Sequence, residues 1–217
     1  MIVDERVSCY IKSLTAYNSD FLEKLREKAL EAKVPIIKRE TESFLKTFLL
    51  LKKPKKILEV GTAVAYSSLV MAEVLEGKTK ISTIENYEKR VLEAKKNIAD
   101  SNYSNTIHLI EEDASKVLKE LVEKKEKYDF IFMDAAKGQY INWLEPVIKL
   151  LNKEGVLCSD NVLQGGDIVQ SRYLIERRDR SIHSRLREYL YELTHREELS
   201  TTILSLGDGV ALTVLKK

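Results

Sequence analysis

The sequence predicts an α/β domain: a mostly parallel sheet with helices on both faces, behind a helical N-terminal cap. Three observations predict it. From Lys56 onward, short apolar runs alternate with amphipathic stretches of helical period, which is the pattern of repeated strand–helix–strand units. Residues 1–53 carry helical patterning alone. The chain closes on two strand-like runs joined by Gly207-Asp208-Gly209, the signature of an antiparallel hairpin.

The elements follow in order. Val7, Tyr10, Ile11 and Leu14 have helical spacing, as do Phe21, Leu22, Leu25, Ala29 and Leu30. Pro35 interrupts, and a third amphipathic helix runs from about Glu40 to Leu51. It stops before Pro54, because the residue ahead of a proline is pushed out of the α region. KILEV (56–60), KISTIE (80–85), TIHLIE (106–111) and YDFIFMD (128–134) read as strands, each followed by a helical stretch. The last of those helices covers Tyr140 to Leu151 and leads into GVLCSD (155–160). The charged stretch from Asp167 to His195 is predicted to be helical, and LSTTILSL and VALTVLKK form the hairpin. No repeat, low-complexity tract or linker divides the chain. One domain over 1–217 is expected, with a cap at 1–53 and an α/β core at 54–217.

Composition narrows the function classes. At 44% hydrophobic and 32% charged residues, the chain has the make-up of a globular protein. No apolar run reaches the roughly 20 residues that a bilayer span needs. MIVDERVSCYIKSL lacks the order of a signal peptide, so a cytoplasmic location is expected. Cys9 and Cys158 read as reduced packing residues. A net charge of +2 predicts no polyanion partner by itself, so any nucleic-acid argument rests on where the basic residues lie.

Asp134 closes one apolar strand and Asp160-Asn161 closes another. In an open parallel sheet such ends share an edge, and ligands bind beyond it. Two carboxylates and an amide make an all-oxygen cluster that suits Mg²⁺. A second site is built from Glu59, Gly61, Glu85 and Asp113. Gly61 stands where a dinucleotide fingerprint wants three glycines, and alone it reads equally well as an ordinary strand-to-helix turn. Missing glycines argue against cradling a pyrophosphate. They fit a nucleoside cofactor without phosphates, such as S-adenosylmethionine, with Glu85 placed for a ribose diol and Asp113-Ala114 for an adenine.

The run Glu59-Val-Gly-Thr-Ala-Val-Ala-Tyr-Ser67, then Glu85, Asp113-Ala, Asp134-Ala-Ala-Lys137 and Asp160-Asn161, resembles the class I S-adenosylmethionine-dependent O-methyltransferases of the catechol and caffeoyl-CoA type. The resemblance covers nearly the whole chain. Within that family, VPII, DAAKGQY, DNVL and GDGVAL are most similar to bacterial tRNA 5-hydroxyuridine methyltransferases. The resemblance implies a Rossmann-like, seven-stranded sheet with a reversed last strand, and a homodimer. It implies cofactor contacts at Ile37, Ser67, Glu85, Asp113, Ala114 and Asp134, a divalent cation at Asp134, Asp160 and Asn161, and Lys137 as the base. Glycine usually precedes Tyr-Ser in this family. Ala65 stands there instead, and its methyl is expected to crowd the cofactor's methionine part.

The rim is expected to choose the acceptor. Arg172, Arg177, Arg178, Arg180, Arg185 and Arg187 cluster, with His183, His195 and Arg196 nearby. Guanidinium groups suit phosphates, and Tyr173, Tyr189 and Tyr191 suit base stacking. Glu176, Asp179, Glu188 and Glu192 interleave with them, so a neutralised helix face or a dimer contact is the other reading of the charge. The family resemblance points to the 5-hydroxyl of a wobble uridine in tRNA, giving 5-methoxyuridine. A small catechol or phenolic acceptor, or a nucleotide-binding module without catalysis, are the alternatives.

Overall fold

The computed structural model describes residues 4–216. The cap is three helices: α1 (Glu5–Leu14), α2 (Asp20–Glu31) and α3 (Arg39–Lys52). Asp4 caps α1 by accepting from the Arg6 amide at 2.9 Å, satisfying a donor that the first turn cannot pair internally. α3 ends on Lys53 in the left-handed region, one residue before the proline that forbids its continuation.

The core alternates β1 (Lys56–Val60), α4 (Tyr66–Val74), β2 (Lys80–Glu85), α5 (Glu88–Ala99), β3 (Ile107–Glu111), α6 (Ala114–Glu123), β4 (Tyr128–Met133), α7 (Tyr140–Leu150) and β5 (Leu151–Asp160). It finishes with α8 (Arg180–His195), β6 (Leu199–Leu204) and β7 (Val210–Leu215). The seven strands lie in the order β3-β2-β1-β4-β5-β7-β6. β1 to β5 pair in parallel, and β7 runs antiparallel to both β5 and β6. The order reverses between β1 and β4, and such a switch point opens a crevice at the carboxyl ends of the strands. Register makes that crevice specific. Val60 pairs with Met133, and Met133 with Ser159, so Gly61, Asp134 and Asp160 follow side by side on one edge.

Two apolar layers hold the sheet. Leu22, Leu45, Leu49, Val70 and Ala94, from α2 to α5, cover one face. Leu118, Leu144, Val147, Leu186 and Tyr189, from α6 to α8, cover the other. Each fully buried leucine or valine among them contributes about 1.5–3 kcal/mol relative to exposure. Cys158 is buried in β5 and Cys9 is exposed on α1, both as free thiols. Among the described residues no helix is long and apolar enough to cross a membrane.

Two expectations are corrected. The stretch from Asp167 to His195 is helical only from Arg180. Ahead of it lie two short 3-10 turns, Gln164–Val169 and Arg172–Leu174. Gly165 and Gly166 have positive φ of 63° and 109°, and Val169, Tyr173 and Leu174 are more than 70% exposed. No continuous apolar face exists there for a helix to bury, whereas Leu186, Tyr189 and Leu193 supply one in α8. β5 also begins at Leu151 rather than Gly155, because a register shift against β4 between Tyr128 and Phe130 absorbs the residues around Glu154.

Candidate active site

The end of β4 delivers Asp134, and the end of β5 delivers Asp160 and Asn161. Asn161 adopts φ 61°, a left-handed turn that asparagine tolerates. The turn carries its side chain back toward β4, where Nδ2 donates to Asp134 Oδ1 at 3.1 Å. Lys137 Nζ donates to the same oxygen at 3.0 Å. Asp160 is 2% exposed and accepts from the Asn161 amide at 2.8 Å. Burial first, and repulsion from Asp134 second, push its carboxyl up to about 7. Tyr140 locks the two strand ends together: its hydroxyl lies 3.0 Å from the Met133 carbonyl and 3.3 Å from that of Asp160, and accepts from the Ala135 amide at 3.2 Å.

This corner fits a hard divalent cation. Two carboxylates crowded in poor contact with water call for positive charge between them. The donors are all oxygen, as Mg²⁺ prefers. Among the described residues no three His, Cys, Asp or Glu side chains form a metal-holding group, so a third protein donor to a cation here would have to come from the Asn161 amide. A half-turn of that amide exchanges its nitrogen for its oxygen.

Gly61 is the hinge of the neighbouring groove. Its φ is 102°, and a Cβ there would sit 2.1 Å from the Asp134 carbonyl oxygen. Only glycine lets β1 turn this close to β4. Glu85 then ties the loop down, accepting from the amides of Ala63, Asn86 and Tyr87 at 2.9–3.0 Å. Asp113 caps α6 through the Ser115 amide at 2.9 Å. The result is a groove of two chambers that share Gly61, Ala63, Asp134 and Ala135. One, of about 270 Å³, is lined by Ile37, Ser67, Asp134, Lys137, Asp160 and Asn161. The other, of about 350 Å³, is lined by Glu85, Asp113, Ala114 and Trp143.

Glu59 departs from the expectation. It is fully buried and lines neither chamber, because alternation along β1 turns it under the loop. Its carboxylate accepts from the hydroxyls of Ser67, Ser68 and Thr83. Through the first of these bonds it positions Ser67. Burial lifts its pKa from 4.5 to about 7, against the lowering effect of those hydroxyls. A folded-state pKa above the unfolded one gives stability that is full below the unfolded value and lost as pH rises through the folded value. Glu59→Gln should therefore gain on the wild type by a few kcal/mol between pH 5 and pH 8. Urea unfolding at both pH values checks this, and an equal difference at the two would show that Glu59 does not titrate there.

Ala65 also departs. It is completely buried, in the left-handed region at φ 65°, and lines neither chamber. Its methyl packs in the core, so the cost is backbone strain of about 1–2 kcal/mol and not a crowded cofactor. Tyr189 is fully buried, with its hydroxyl 2.6 Å from that of Ser159, and cannot stack on a base. Tyr191 stacks on His195, whereas Tyr173 is exposed.

The arginines divide. Arg178 pairs with Glu176 and Asp179, and Arg180 is pinned to the carbonyls of Ile175 and Tyr173. Arg172 and Arg177 are exposed and make no ion pair among the described residues. None of the four lines either chamber. Three contributors escaped the sequence reading: the Tyr140 clamp, Trp143 in the second chamber, and a 2.7 Å ion pair between Lys38 and Asp208 at the first. Tyr140 lies in the DAAKGQY run, and Trp143 is the sole tryptophan; both signals were present without a role attached.

A family model described as O-methyltransferase matches residues 12–217. A flavonoid 3',5'-methyltransferase of Vitis vinifera is 30% identical, covering 96% of this chain and 93% of its own. A catechol O-methyltransferase of Niastella koreensis is 30% identical over 76% of each chain. An O-methyltransferase from Bacillus cereus, crystallised with SAH, superposes with a TM-score of 0.84 at 24% identity, covering 97% of both chains; that likeness shows the fold.

Proposed function

The chain belongs to the O-methyltransferase family and is an S-adenosylmethionine-dependent enzyme; from this premise we propose that it methylates one of two adjacent oxygens on a planar acceptor, with a divalent cation, Mg²⁺ first, at Asp134, Asp160 and Asn161. The observation that carries the proposal is the convergence of Lys137 and Asn161 on one oxygen of Asp134, beside buried Asp160. When bound, the cation lowers the pKa of an acceptor hydroxyl and fixes its place. The chain's own residues do the rest. Glu85 holds the cofactor's ribose, Asp113 and Ala114 flank its adenine, and Ile37 and Ser67 border its methionine part. Lys137 Nζ, after passing its own proton to solvent, takes the acceptor proton, and Tyr140 holds the two strand ends in register while it does so.

A phenolic acceptor with vicinal oxygens is supported by the relatives, one named for catechol and one for flavonoids. A second reading is 5-hydroxyuridine at the wobble position of tRNA, whose 5-hydroxyl and 4-carbonyl present the same pair of oxygens. Exposed Arg172, Arg177 and Tyr173 favour it. Labelled S-adenosylmethionine incubated with catechol, and separately with tRNA carrying 5-hydroxyuridine, decides between them. Label in catechol alone removes the tRNA reading, and transfer that survives EDTA removes the cation. If tRNA is the acceptor, Arg172→Glu and Arg177→Glu should each reduce the slope of log affinity against log salt by about one. Arg178→Glu, already balanced by two acids, should change it less.

The proposal includes a homodimer. Val7, Tyr10, Ile11 and Leu14 form an exposed apolar stripe on α1, and a second copy would cover it. Sedimentation of wild type against Leu14→Glu tests this, with an unchanged sedimentation coefficient counting against α1 as the contact.

A further inference from the structure

We propose that the cleft between α8 and the Arg172–Leu174 turn is an oxyanion site that takes a phosphate group. The cleft, of about 390 Å³, is lined by Gln170, Ser171, Arg172, His183, Ser184 and Arg187, with no acid among them. It shares no lining residue with the two chambers of the methyl-transfer groove. Its most informative member is His183, which is 2% exposed yet has no hydrogen-bond partner on either ring nitrogen. Buried polar groups are rarely left unpaired, because desolvation without a partner is costly. An imidazole in that state, facing a cleft, lacks a partner that a ligand would provide.

The surrounding cations supply the rest of the site. His183 and Arg187 are four residues apart on α8 and so share a face. Arg187 donates to the Ile168 carbonyl at 3.2 Å, which fixes the guanidinium and leaves its other N–H groups for a ligand. Arg172 makes no ion pair among the described residues. The nearby Asp167 is engaged by the Gln170 side chain at 3.2 Å. Elsewhere on this rim Arg178 and Arg196 are committed to acids, and Arg180 and Arg185 to backbone carbonyls. Two guanidinium forks and an imidazole around one cleft suit an oxyanion with several acceptor oxygens, as a phosphate has.

Place gives the site a use. The segment that forms it leaves Asn161 directly, and Arg185 of α8 donates to the Gly138 carbonyl at 3.2 Å, next to Lys137. A phosphate held there belongs to the acceptor: a phosphodiester of RNA or a terminal phosphate on a small molecule. That use rests on the methyl-transfer reading, whereas anion binding does not.

The test is titration of the full chain with inorganic phosphate, against sodium chloride at matched ionic strength, read by calorimetry for every variant and also by the His183 ring signals in NMR where that residue is present. Saturable binding beyond chloride is expected. Arg172→Gln, on an exposed residue, and His183→Phe, which keeps ring shape, should each weaken it about tenfold. No saturable response, or Arg172→Gln binding as tightly as wild type, overturns the site. Competition arms with a short single-stranded RNA and with phenyl phosphate separate the sources: the stronger competitor names the class, and competition by neither overturns the proposal. Neither cofactor nor methyl transfer enters these measurements, so their failure leaves the enzyme reading standing, and the reverse holds.

Discussion

Asp160→Asn is expected to lower kcat/KM for methyl transfer by about a thousandfold, since a Lewis-acid contribution of several kcal/mol is lost and each 1.36 kcal/mol is tenfold. The substitution keeps the shape of the side chain and can still accept from the Asn161 amide. It removes one of the two carboxylates that make the corner negative. Glu85, Asp113 and Ala114, the residues proposed to hold the cofactor's ribose and adenine, line the other chamber. Affinity for S-adenosylmethionine should therefore change little, and affinity for Mn²⁺, read directly by calorimetry or electron paramagnetic resonance, should fall steeply. Stability separates this from misfolding. Asp160 has its pKa raised from 3.8 to about 7 by burial and by Asp134. Its contribution to stability is full below the unfolded value and lost as pH rises through about 7. Without cation at pH 8, Asp160→Asn should thus be at least as stable as the wild type. A variant that is stable and still methylates with normal Mn²⁺ affinity would sink the cation site.

The sheet, and the edge on which Asp134 and Asp160 meet, were legible in the sequence for one physical reason. Strands buried on both faces read as near-continuous apolar runs, so an acid directly after such a run is a candidate for the sheet's edge. YDFIFM followed by Asp134, and GVLCS followed by Asp160, show that pattern, and register then brings the two acids side by side. The direction of the Glu59 side chain was not legible, because KILEV is buried on both sides. A run with no polar alternation gives no phase, and the sequence does not say which residue points along the edge. Tyr189 failed for a related reason: the phase of α8 is set by what it packs on, and Leu186, Tyr189 and Leu193 form its buried side. Residues 167–179 imitate a charged helix in composition but lack the apolar stripe that makes a helix worth forming in water. The Lys38–Asp208 pair joins residues 170 positions apart, and no local pattern reports a contact of that range. His183 is the sharpest case, since an unpaired buried imidazole is a property of its surroundings alone.

Lys137→Ala is expected to reduce kcat by about 10²–10⁴-fold, the range for loss of a positioned general base. Lys137 opens the short turn Lys137–Gln139. The turn is pinned by Arg185 at Gly138 and by the α7 start at Tyr140, so its backbone should survive the truncation. The ammonium also neutralises Asp134 at 3.0 Å, and loss of charge must be told apart from loss of a base. Lys137→Arg makes that distinction. Arginine keeps the positive charge at all working pH values and cannot accept a proton. If Lys137 is the base, arginine should be as poor as alanine in kcat while KM stays near that of the wild type. If its role is to place charge, arginine should recover most of the rate. Acceptor acidity gives a second readout. A catechol carrying an electron-withdrawing substituent ionises more readily, so it needs the base less and should partly rescue both variants. Rescue of neither variant by an acidic acceptor, together with near-wild-type kcat for Lys137→Arg, would remove Lys137 from proton transfer and leave it as the resting counter-charge of Asp134.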